Sequence, residues 1–122
     1  MMAVSAKASP ANSVVLVSDG SGGEIPKSMH GSVIAATDTC VAIGCLAEDD
    51  AETTFTLAPL SELDRREKPA FEGMLRTPKH RVVVRTVTGQ QLLEVPVQQE
   101  LTRIKIWVND ASEPDNVVIG VG

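Results

Sequence analysis

The sequence predicts an all-β fold: a small antiparallel two-sheet sandwich or, as the alternative, a partly open barrel, with at most one short helix. Three observations predict it. Residues Arg81 to Val95 set two β-branched runs around Thr88 and Gly89, the pattern of a hairpin. Seven or eight short apolar runs alternate with turn signals along the chain, as in sandwiches and small barrels. No stretch supplies the long helical crossovers that a parallel α/β sheet requires.

Residues 1 to 12 are small and polar, with Pro10 and Asn12 ahead of the first apolar run, and are expected to form a mobile tail to a single β domain over 13 to 122. Ser13 to Ser18 is the first predicted strand, ended by Asp19-Gly20-Ser21-Gly22-Gly23. After an irregular link containing Pro26, Ser32 to Thr37 and Thr39 to Ala47 form two strands turning at Asp38. Across the acidic turn Glu48 to Ala51, the run Glu52 to Ala58 alternates cleanly. Thr53, Phe55 and Leu57 share one face, so one side meets a core and the other meets water.

Ser61 to Lys68 is the one credible helical turn. Ser61 is placed to cap it, and Pro69 limits it. Phe71 to Leu75 makes a short strand before Pro78. Arg81 to Val87 and Leu92 to Val97 are the hairpin arms, and Pro96 puts the second arm at an edge. In Thr102 to Val108, Ile104, Ile106 and Val108 form one row and Arg103, Lys105 and Trp107 the other. Val117 to Val121 is a terminal strand suited to the middle of a sheet.

Aromatic residues are scarce: Phe55, Phe71 and Trp107 are the only ones among 122, so Val, Ile, Leu and Ala must fill the core. The net charge of -5 is concentrated in residues 48 to 72, which carry eight acids and three bases. That balance argues against nucleic-acid binding, which needs a basic face, and favours attraction to a basic protein. Met1 to Asn12 has no signal-peptide pattern, and no run approaches the length of a membrane span. A soluble, cytoplasmic chain with no membrane partner is expected. Cys40 and Cys45, five apart on an extended stretch, fall on opposite faces and are expected to be two separate buried thiols.

No complete catalytic motif is present. Gly20-Ser21-Gly22-Gly23 lacks the lysine-bearing ending and the following helix of a phosphate cradle, and reads as a turn. His30 and His80 are the only imidazoles, hence the only weak catalytic candidates, and no neighbouring residues specify a triad. Glu48, Asp49, Asp50 and Glu52 form one acidic loop and Asp110, Glu113 and Asp115 another. Neither has calcium-loop spacing, so no metal and no cofactor is expected. Arg76, Lys79, His80, Arg81 and Arg85 form a basic group best assigned to solvent.

The leading function is therefore a non-enzymatic protein-interaction module, inhibitor-like or self-associating as a homodimer. Trp107, Arg103 and Lys105 are the candidate anchors, while Glu48, Asp49 and Asp50 steer a basic partner. The alternatives are a small hydrolase using His30 or His80, and a small-ligand or carbohydrate-binding β domain.

Overall fold

The computed structural model describes residues 3–20, 23–29, 31–47 and 49–122. Among these residues ten strands form: β1 (Val4–Ala8), β2 (Val14–Ser18), β3 (Ile34–Ala36), β4 (Val41–Gly44), β5 (Thr53–Pro59), β6 (Phe71–Arg76), β7 (Arg81–Thr86), β8 (Gln91–Pro96), β9 (Leu101–Val108) and β10 (Asn116–Val121). They build two five-stranded sheets, ordered β1-β5-β10-β9-β6 and β3-β4-β2-β7-β8. The sheets stay separate, so the two-sheet sandwich is the architecture and the barrel is not closed.

Period-two alternation does what the sequence predicts. Val15, Val17, Val41, Ile43, Val82, Val84, Leu93 and Val95 from one sheet meet Phe55, Leu57, Leu75, Ile104, Ile106, Val117, Ile119 and Val121 from the other. The predicted hairpin is β7–β8, with a register irregularity at Val84/Arg85, and β8 is an edge strand. The terminal strand β10 lies inside its sheet between β5 and β9. Cys40 packs with Leu16 and Ala42 on an outer face, while Cys45 belongs to the main core; both are free thiols on opposite sides of one sheet.

Burial raises both thiol pKa values above their ordinary 9.0; Arg85 offsets this partly at Cys40, as does a hydrogen bond from Thr53 at Cys45. A raised folded pKa favours the protonated thiol, so this contribution to stability is complete below pH 9 and declines as pH rises beyond it. Urea unfolding is therefore expected at lower midpoints at pH 10 than at pH 8, and a C40A/C45A variant should lose part of that slope.

One expectation needs correction, and two are refined. The stretch read as a tail contains β1, which pairs antiparallel with β5 from Val4↔Leu57 to Ala8↔Thr53. Val4, Ala6 and Ala8 point at the core edge; with two alanines in that row the local signal is weak, and the strand is held by the edge that β5 offers. The helical turn at Ser61 to Lys68 shrinks to a single 3₁₀ turn, Leu60–Glu62, without a side-chain cap. Finally, the sandwich is not wholly antiparallel, because β5 and β10 pair parallel, Asn116↔Thr54 through Val121↔Pro59.

Beyond Leu60–Glu62 the chain lies across the outer face of the β1-β5-β10-β9-β6 sheet. A Cβ added at Gly120 would stand 2.5 Å from Leu60 Cδ2 and 2.9 Å from Leu63 Cδ1, so glycine there lets the segment settle onto β10. On the outer face of the other sheet Met29 packs against Leu16, Cys40 and Ala42, covering that part of it.

Candidate protein-interaction surface

With those two covers in place, the outer face of the β6–β9 ladder carries exposed apolar surface. The register pairs Glu72↔Lys105, Met74↔Arg103 and Arg76↔Leu101 on this face, while Gly73, Leu75, Ile104 and Thr102 take the opposite one. Met74 and Leu101 are diagonal neighbours across the ladder, 48% and 51% exposed. Arg103 is exposed beside them, Lys105 lies 3.9 Å from Glu72, and Arg76 lies 4.0 Å from Asp38. These ion pairs are solvated and contribute little to stability. The result is a thioether and an isobutyl group framed by guanidinium and ammonium groups, a composition suited to protein contacts.

The predicted site residues fare differently. Arg103 and Lys105 sit on this surface. Trp107 follows them on the same face but is only 7% exposed, and its Nε1–H donates to the Glu67 carbonyl at 2.8 Å. The covering segment has taken up the indole, leaving its edge to a shallow recess of about 260 Å³ that Arg65, Asn109 and Asn116 also line. The sequence places Trp107 on the outer face correctly, but does not show which segment lies over it.

His80 occupies the turn between β6 and β7 at φ 58, exposed, with Nδ1 3.0 Å from the Gln98 carbonyl. Among the described residues no ion pair includes it, and no nucleophile–base–acid arrangement forms around it. His30 and Glu48 lie outside the described residues. The basic group does not converge either: Arg81 turns to the Asp19 carbonyl at 2.8 Å and to Glu94 at 3.7 Å, on the sheet opposite Arg76.

Asp49 and Asp50 gain company that the sequence does not reveal. Because β5 and β10 run parallel, the loops that precede them emerge side by side at one end of the sandwich. Leu46 N–H donates to the Pro114 carbonyl at 3.0 Å and Thr54 N–H to the Asp115 carbonyl at 2.9 Å. Exposed Asp49, Asp50 and Glu52 thereby share an end with exposed Asp110, Glu113 and Asp115. The Asp110 carboxylate accepts from Glu113 N–H, Ser112 N–H and Ser112 Oγ–H, which holds its pKa below the ordinary 3.8. Asn109 Oδ1 accepts from the Asp115 and Asn116 N–H groups, both at 3.1 Å, so the second loop is braced by its own side chains. Among the described residues, no three His, Cys, Asp or Glu converge on a point where a metal ion could sit.

No family model matches the chain, and no curated protein matches it significantly. Two solved structures share the fold. ComJ from Bacillus subtilis, described as an inhibitor of the DNA-degrading activity of NucA, is 11% identical, with a TM-score of 0.68 over 97% of this chain and 93% of ComJ. "Crocagin biosynthetic gene J" is also 11% identical, with a TM-score of 0.50 over 98% of this chain and 94% of its own. At such identity the likeness concerns the fold. No helix among the described residues is long and apolar enough to cross a membrane.

Proposed function

We propose that this chain is a non-enzymatic protein-interaction module, inhibitor-like in action, that grips another protein with the outer face of β6 and β9. One observation carries the reading: Met74 and Leu101, side by side and half exposed, beside an outer face where Leu60 and Leu63 lie over Gly120. Arg76, Arg103 and Lys105 frame the contact, and the acidic end formed by Asp49, Asp50, Glu52, Asp110, Glu113 and Asp115 orients the approach of a partner with a basic region. The fold shared with ComJ supports an inhibitory role, and we place that role in the cytoplasm.

The test is capture of a stoichiometric partner by the immobilised chain, followed by the double variant M74E/L101E. Both positions are solvated in the free protein, so circular dichroism and melting should stay unchanged while affinity falls by at least about tenfold. Equal capture by the folded double variant would move the contact elsewhere. Association should also slow as salt is added, because the acidic end acts through long-range attraction.

A further inference from the structure

Three of the four sheet edges are guarded against recruiting another strand. β3 is three residues long. β8 has the irregularity at Val84/Arg85 and ends at Pro96. β1 carries Lys7 and lies against β8. Shortness, bulges, proline, lysine and a covering neighbour are the devices by which sheets blunt their edges. β6 runs six residues, Phe71–Arg76, with neither proline nor lysine.

The ladder fixes which main-chain groups of β6 face outward. Thr77 N–H donates to the Glu100 carbonyl at 2.8 Å, whereas Arg76 N–H points the other way, to the Asp38 carbonyl at 2.9 Å. Antiparallel alternation then directs the peptide groups of Leu75 and Gly73 at β9 and those of Met74 and Glu72 at the open edge. Among the described residues only the Arg76 end is closed, by the turn at Asp38.

Both faces of this edge offer apolar contact. Met74 is on the outer face. On the inner face the Phe71 ring lies over Gly73, where a Cβ would meet Phe71 Cζ at 2.8 Å, and Phe71 remains half-buried. On the ladder's outer face Arg76, Arg103 and Lys105 stand against Glu72; Glu72 pairs with Lys105 and Asp38 with Arg76, so the exposed Arg103 is the cation beside the edge that no ion pair among the described residues uses.

We infer that β6 is a docking edge for an extended acidic segment of the partner protein, added to the sheet as a sixth strand. The inference rests on the interaction reading above and gives it a partner chemistry. Main-chain bonds form to Glu72 and Met74, an apolar side chain packs on Met74, and carboxylates lie near Arg76 and Arg103. A second copy of this chain is the competing occupant; pairing symmetric about Met74 would need the Arg76 N–H, which the Asp38 carbonyl already takes.

The probes are two short synthetic peptides, one alternating Val and Glu, the other Val and Lys, with residue-resolved amide exchange as the readout. The acidic peptide should slow exchange at Glu72 and Met74 by about tenfold and the basic one should not. Met74→Pro removes an outward N–H but no ladder bond, so it should fold and lose this protection. Should that variant fail to fold, R76E/R103E keeps the main chain and is expected to reverse the peptide preference. Equal response to both peptides, no response to either, or protection that appears only with concentration-dependent dimerisation would overturn the inference. If M74E/L101E loses the captured partner while the Glu72 and Met74 amides of the complex exchange freely, the edge inference fails and the interaction reading stands.

Discussion

Replacing Phe55 with alanine should lower the free energy of unfolding by about 3–5 kcal/mol. Phe55 is fully buried in β5, and its cross-strand neighbours are Ala6 on β1 and Val117 on β10. Among the described residues it is the largest fully buried side chain, in a core of Val, Ile and Leu. Those smaller groups sit on paired strands and cannot move far enough to fill an aromatic void, so the lost burial and the remaining cavity both count against the variant. Urea unfolding followed by Trp107 fluorescence measures the effect. A loss below about 1 kcal/mol would mean that the inner faces are loosely packed there.

Trp107→Ala should cost a similar amount, about 3–5 kcal/mol, although Trp107 is on the outer face of its sheet. The indole is sealed beneath the covering segment, beside Val118 on β10, with its N–H spent on the Glu67 carbonyl. Trp107→Phe keeps most of the apolar contact and loses that hydrogen bond, so it should cost only about 1 kcal/mol. The pair of variants separates two roles for one residue. Were the indole a partner's anchor, alanine would leave melting unchanged and abolish capture. As a clamp for the 60 to 67 segment, it should lower the melting temperature and speed amide exchange across that segment.

Much of the fold is legible along the chain because side-chain alternation is a local property. Thr53, Phe55 and Leu57 turn inward as read, as do Ile104 and Ile106, and the hairpin at Arg81 to Val95 stands where its β-branched arms and Gly89 put it. Weak local signals are where reading fails. Val4–Ala8 has too little apolar content to declare itself a strand and becomes one by pairing with β5. Leu63 to Lys68 looks helical from its charges, yet gains more by laying Leu63 over Gly120 and offering the Glu67 carbonyl to Trp107.

The candidate surface shows the same division. Arg103 and Lys105 could be placed on one face from spacing alone. Met74 could not be joined to them, because nothing in the run Phe71 to Arg76 says that it pairs with β9 in the register Met74↔Arg103. Nor could Asp49 and Asp50 be joined to Asp110 and Glu113, some 60 residues on, without the parallel pairing of β5 and β10.

The sequence by itself determined every strand but β1, the inward and outward rows, the two separated thiols and the uneven charge, since each depends on residues a few positions apart. The tertiary structure alone decided strand order, which outer faces are covered, which edge stays open, and that two acidic loops share one end. Those follow from pairings between distant segments, where the free energy of closing one register over another is settled by the whole packed sandwich and not by any local run.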